Sequence, residues 1–130
     1  MINIKVRFGG TRKEQDELAE LVLNYEKVAT SSLVDIQLES ELTKIGDIWQ
    51  IYNGSDEFVC EVKVISVVIK EFAQIDEEFA IKEGDGSLSN WLTIHEAYYS
   101  SQLQESGKIL SKDTRLECVY FILLRQGPEK

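Results

Sequence analysis

The chain has 130 residues, 43% of them hydrophobic and 28% charged. That size and balance belong to one globular domain with a single core, and they exclude a disordered or repeat-built chain. Its 14 basic and 23 acidic side chains leave a formal charge of −9, so the molecule as a whole does not attract a polyanion and no DNA duplex is expected as a partner.

Other broad classes recede on similar grounds. Met1 to Arg7 lacks the apolar stretch of a secretion signal, and no segment approaches the ~20 apolar residues of a membrane span, so a cytoplasmic protein without a membrane partner is expected. Cys60 and Cys118 sit singly inside apolar runs. Without the paired spacing of a zinc site they read as buried thiols, and neither a metal nor another cofactor is expected. Lys5, Arg7, Arg12 and Lys13 form the one local concentration of positive charge, a candidate rim for phosphate contacts.

In chain order, Ile2, Ile4 and Val6 alternate with Asn3, Lys5 and Arg7, the period of a strand with one buried face. Thr11 and Glu14 have the spacing of a capping box, and Leu18, Leu21, Val22 and Tyr25 then recur on one stripe, which predicts a helix from about Arg12 to Glu26. Val28 to Val34 reads as a strand. A polar stretch ends at the Gly46-Asp47 turn signal, followed by an apolar run, Ile48 to Tyr52. Asn53-Gly54 then predicts a hairpin returning through Phe58 to Ile69. Asp76 is placed to cap a short helix through Ala80, and the Gly84-Asp85-Gly86-Ser87 loop leads into a longer helix ending near Gly107. Thr114 to Leu124 closes the domain as an apolar strand. The whole predicts an α+β fold, an antiparallel barrel-like sheet of about five or six strands with inserted helices. Residues 1–124 form one domain on this reading, and 125–130 a polar tail expected to fray.

Chemistry concentrates at a few positions. Lys27 and Thr30 stand three apart at a helix-to-strand junction; an extended chain would hold them about 10 Å apart on opposite faces, but a turn at the helix end can bring them into one site. A desolvated Lys27 would act as a general base toward the Thr30 hydroxyl or a water. A solvent-facing lysine and an ordinary strand threonine are the plainer alternative. Glu83, just before the glycine loop, can pair with Lys27 or be one more surface acid. The loop has neither Walker nor dinucleotide spacing, and Asp85 repels anions, so nucleoside triphosphates are set aside. Trp91, His95 and Tyr99 recur every four residues with Tyr98 beside them; such aromatics stack a base or simply pack, and the lone His95 makes no recognisable catalytic triad.

Several of these pieces occur together in one order: Phe8-Gly9, the helix Glu17 to Leu23, Lys27-Val28-Ala29-Thr30, Gly46-Asp47, Glu78-Phe79-Ala80, the run Glu83 to Trp91, His95, Tyr98-Tyr99 and the closing Cys118 to Phe121. In that order the chain resembles an ASCH domain, a family with a PUA-like β-barrel. The resemblance implies a cleft beside the inserted helices and action on or near RNA. One branch of small amidohydrolases removes the acetyl group of N4-acetylcytidine with a lysine, a threonine and a glutamate, for which Lys27, Thr30 and Glu83 are the matching positions. The chain is more similar to the larger branch with the Ser-Leu-x-x-Trp-x-x-x-His pattern, here Ser87 to His95, and that places Ser87, Trp91, His95 and Tyr98 beside the cleft. It departs from the pattern at Tyr25, where the family commonly has glycine, in a glycine loop about two residues shorter, and in lacking the larger branch's N-terminal extension.

Three functions follow as expectations. The first is a domain that binds RNA or a modified nucleoside, with Arg7, Arg12 and Lys13 at the rim. The second is an amidohydrolase acting on an acylated cytidine through Lys27, Thr30 and Glu83. The third is a protein-interaction module using an exposed apolar patch.

Overall fold

The computed structural model describes residues 3–37 and 42–127. Strand β1 (Asn3–Val6) leads to helix α1 (Arg12–Leu23), and β2 (Ala29–Leu33) follows. Next come the hairpin strands β3 (Ile48–Tyr52) and β4 (Phe58–Glu71), a 3-10 turn at Phe72–Gln74, helices α2 (Glu77–Glu83) and α3 (Leu88–Glu105), and the closing strand β5 (Arg115–Gln126). The expected Ile2 start of β1 lies outside the described residues, as does the tail beyond Gly127.

All five strands form one sheet in the order β1-β3-β4-β5-β2. Three of its pairings are antiparallel, but β1 runs parallel to β3, contrary to the wholly antiparallel sheet expected from sequence. The reason is connection length: α1 and β2 separate the two strands, giving the chain room to cross over, which a tight hairpin cannot do. The long β4–β5 ladder carries irregularities at Glu61/Val62 and Val64/Ser66. Such bulges increase local twist and bend the strand, and the sheet curls into a half-barrel with three helices, the α+β PUA-like architecture.

The helix boundaries shift for local reasons. Thr11 and Glu14 form the expected capping box, but α1 stops at Leu23, with Asn24 as its C-cap. Tyr25 then adopts φ 63°, a left-handed backbone that removes it from the helical stripe and leaves its side chain 68% exposed. This is the position where glycine is common in the resembled family. Tyr25→Gly should therefore raise stability by up to about 1 kcal/mol, because glycine adopts this region without steric cost and little packing is lost; a melting temperature no higher than that of the unsubstituted protein would contradict the strain. The Asn53-Gly54 hairpin forms between the expected strand ends Tyr52 and Phe58, and within its loop Asp56, not Gly54, takes the left-handed conformation at φ 60°. Gly54 is required for close approach instead: a Cβ there would stand 2.3 Å from the Arg12 carbonyl oxygen.

At the other end of the chain, β5 continues through Arg125 and Gln126, which pair with Glu61 and Cys60, so those two residues belong to the sheet and not to the tail. Two apolar clusters fill the interior. One lies under α1 and includes Phe8, Trp49, Ile51, Val62 and Phe121; the other lies under α2 and α3 and includes Leu33, Phe79, Trp91, Leu103 and Leu116. The thiols of Cys60 and Cys118 are free and buried within them, and burial pushes them up to about 11 and about 12, which makes both inert. No helix among the described residues is long and apolar enough to cross a membrane.

Candidate functional site

The cleft lies where the start of β2, the C-terminus of α2 and the middle of α3 meet. Lys27 is 3% exposed, held between α1 and β2, with its backbone N–H bonded to the Leu21 carbonyl. Its ammonium donates to the carbonyls of Ala29 and Glu83, each at 2.9 Å. The Glu83 carbonyl is the last of α2, and a lysine donor there satisfies a group the helix cannot. Gly84 ends the helix at φ 100°, a left-handed backbone that suits glycine, beside the Glu83 carbonyl that Lys27 reaches. Burial holds the Lys27 amine below its ordinary range, with the charges of Glu83 and Asp85 opposing the shift.

Glu83, 4% exposed, is the hub of a hydrogen-bond chain. Its Oε2 meets His95 Nε2 at 2.6 Å, and its Oε1 accepts from Ser31 Oγ at 2.5 Å. Ser31 Oγ in turn lies 2.6 Å from the Tyr99 hydroxyl. Since the Ser31 proton goes to Glu83, the Tyr99 hydroxyl is the donor in that contact, and burial holds it protonated far above its ordinary range. His95 Nδ1 faces the Trp91 carbonyl at 2.9 Å, and the ring stacks on Trp91 at 4.3 Å. Burial alone would lower the His95 pKa and raise that of Glu83, but their contact outweighs it together with the Lys27 charge and Ser31 hydrogen bond at Glu83 and the Trp91 carbonyl and Asp85 at His95, so His95 is raised and Glu83 lowered. Both shifts favour a buried carboxylate–imidazolium pair.

Above this network opens a cavity of about 500 Å3, within the range of small-ligand sites. Lys27, Thr30, Ser31, Glu83, Asp85 and His95 line its polar side, and Phe8, Leu18, Ile94, Tyr98 and Tyr99 its apolar and aromatic side. A second concavity of about 470 Å3, between Phe72, Leu88, Leu92 and Leu110, gathers no comparable buried charge.

Lys27, Thr30 and Glu83 thus share one cavity. The link from Lys27 to Glu83, however, runs through the glutamate's main-chain carbonyl, and the two side chains make no ion pair among the described residues. Of the other candidates, Arg7, His95 and Tyr98 line the cavity. Trp91 lies wholly buried beneath His95, and Ser87 caps α3 through the Asn90 N–H, so neither reaches the cavity wall. Arg12 donates to Ser55 and Lys13 pairs with Glu17, both away from the cavity. Arg7 is itself paired with Asp56, which also binds Lys5 at 2.8 Å.

Ser31 and Asp85 were not singled out from the sequence. Ser31 follows Thr30 directly on β2 and both line the cavity, so the period of two gives no sign of it.

Glu83, Asp85 and His95 also place potential metal ligands within 4.8 Å of one another. The arrangement does not suit a cation, because both ring nitrogens of His95 face acceptors, leaving no lone pair to coordinate one.

Comparison with known proteins agrees with this architecture. The ASCH domain family model matches residues 5–125. A crystal structure of an ASCH domain from Lactobacillus crispatus JV V101 superposes with a TM-score of 0.87 at 25% identity, covering 95% of this chain and 80% of that one. Protein EF3133 from Enterococcus faecalis V583 gives 0.88 at 25% identity, covering 100% and 85%. The hypothetical protein PH0355, at 15% identity and a TM-score of 0.59 over 94% and 97% of the two chains, shares the fold alone. No curated protein matches the sequence. With the family model spanning nearly its whole length and two solved structures superposing closely on it, the chain belongs to the ASCH domain family.

Proposed function

We propose that the cavity binds a single nucleoside, modified or not, free or presented by an RNA strand. The observation that carries this reading is the pairing of one pinned, buried cationic donor with aromatic walls. Lys27 uses two positions of its nitrogen on main-chain carbonyls and keeps one for a ligand, while the half-exposed Tyr98 offers ring surface to a flat base. The rim argues for a small ligand over a long polyanion: Arg7, Lys5 and Lys13 are each matched by a carboxylate, and phosphates would have to compete for them.

Calorimetric titration with nucleosides and with short oligoribonucleotides, at low and high salt, tests this. Nucleoside binding that changes little with salt is the expected result. Binding of the oligomers alone, falling steeply with salt, would replace the nucleoside site by a phosphate-tracking surface.

Amide hydrolysis of an acylated cytidine is a second reading, supported by the state of Lys27. When the amine is neutral, its two N–H groups still satisfy the Ala29 and Glu83 carbonyls and its lone pair takes the remaining position, the arrangement a general base needs; burial favours that form. Thr30 in the same cavity would serve as nucleophile or water anchor, and protons would leave through the Ser31–Glu83–His95 chain and not directly from Lys27 to Glu83. Release of cytidine from N4-acetylcytidine, followed by chromatography and lost in Thr30→Ala, is its signature.

A further inference from the structure

The mouth of the cavity carries a charge arrangement of its own. Apart from Lys27 and His95 inside, Arg7 is the one basic side chain that lines the cavity among the described residues, and Glu14 lines it as well. Arginine is the side chain best suited to hold a phosphate, through two parallel hydrogen bonds. Here its guanidinium is taken by the Asp56 carboxylate. Lys5, the neighbouring cation on β1, meets the same carboxylate at 2.8 Å and lies over the Tyr52 ring at 4.3 Å. Lys5 and Arg7 are thus matched by Asp56 and Glu14, and the mouth offers a phosphate no net attraction.

A built loop holds Asp56 in this place. Its backbone has φ 60°, a left-handed conformation uncommon for a residue other than glycine. Asn53 Oδ1 accepts from the Ser55 and Glu57 N–H groups at 2.9 and 3.0 Å, the Gly54 N–H donates to Asp16 of α1 at 2.8 Å, and Arg12 donates to Ser55 at 2.9 Å. An exposed ion pair contributes little stability, and the Arg7 and Asp56 side chains are 36% and 62% exposed. A strained backbone that delivers a carboxylate to so weak a pair, at the mouth of a cavity, points to a role in binding.

We infer that Asp56 is a specificity residue of the cavity mouth: by holding Arg7 it disfavours ligands that carry a phosphate and leaves uncharged ones unaffected. The inference rests on the nucleoside-binding reading above. Asp56 does not itself line the cavity, so it acts through Arg7 and through its own charge. A phosphate that reaches Arg7 has to displace the Asp56 carboxylate and then remain beside it and Glu14. Discrimination of this kind comes from repelling the wrong ligand and needs no added contact to the right one.

The test is calorimetric titration of the full chain with adenosine, cytidine, guanosine and uridine and with their 5′- and 3′-monophosphates. It compares the unsubstituted protein, Asp56→Asn, Asp56→Gly and the double variant Arg7→Ala/Asp56→Asn. Asparagine and glycine both accept the left-handed backbone, so the two single variants should melt close to the parent. The parent should bind at least one nucleoside about threefold or more tightly than either of its monophosphates. In both single variants the monophosphates should gain about three- to tenfold while the nucleosides change by less than about twofold, and the gain should shrink in about 0.5 M salt. In the double variant the gain should disappear, because Arg7 supplies the contact. Monophosphates bound by the parent as tightly as nucleosides, a ratio unchanged in both single variants, or a gain that survives the loss of Arg7 overturns the role of Asp56 and leaves nucleoside binding standing. If none of these compounds binds the parent or the variants, both readings fall.

Discussion

Lys27→Met should weaken ligand binding about 10- to 100-fold while the protein remains folded, and Lys27→Ala should in addition cost about 2–4 kcal/mol of stability. The two substitutions separate the roles of one side chain. Both remove the ammonium that bridges the Ala29 and Glu83 carbonyls at the cavity wall. Methionine keeps the volume of the stem against Leu21, Gly84 and the Phe8 ring, which lies 4.9 Å from the Lys27 nitrogen, whereas alanine leaves a void there. Replacing a buried cation by an apolar group of similar shape also relieves its desolvation, so the methionine variant should lie within about 1–2 kcal/mol of the parent. Urea unfolding of both variants beside the binding titration decides the matter. A methionine variant that binds as well as the parent would remove Lys27 from the ligand site and reduce it to a pin between α2 and β2.

The sequence made the scaffold of this site legible and its wiring illegible, for identifiable reasons. Capping residues act over three or four positions, so Thr11 and Asp76 announced the starts of α1 and α2, the glycine loop ending at Ser87 announced that of α3, and all three residues accept from the backbone at a helix start. Alternating apolar residues announced the strands. Pairing order depends on contacts far apart in sequence, which is why the parallel β1–β3 pair was not visible. In the site, Lys27 and Glu83 stood out by residue type at element ends, but what they bond to was hidden. Lys27 reaches a main-chain carbonyl 56 residues away, and Ser31 meets Tyr99 68 residues away. No spacing rule carries such information. His95 is the clearest case: on sequence alone it is one ring in an aromatic stripe, and only the fold sets Glu83 against it.

That Glu83–His95 contact carries the second large effect. Glu83→Gln should destabilise the protein by about 3 kcal/mol, the cost of breaking a buried charge pair, and the loss should depend on pH in a definite way. His95 has its pKa raised by folding, so its contribution is complete below its ordinary value of 6.5 and is lost as the pH rises through the folded value. Glu83 has its pKa lowered, so its contribution is complete above its ordinary value of 4.5 and is lost as the pH falls through the folded value. The two conditions overlap between pH 4.5 and 6.5, and there the gap between parent and variant should be widest. Toward higher pH it should close, because glutamine suits a neutral ring: His95 Nδ1 donates to the Trp91 carbonyl as before, Nε2 accepts from the glutamine amide, and the amide oxygen still takes the Ser31 proton. On the acid side the gap should close as well, once Glu83 itself is protonated. Urea unfolding of both proteins from pH 3.5 to 9 reads this directly. A gap that stays level across that range would mean that His95 is neutral beside Glu83 and that the pair is an ordinary hydrogen bond, whereas a maximum in the overlap window identifies a buried charge pair that survives beside a lysine only because each of its atoms has a partner.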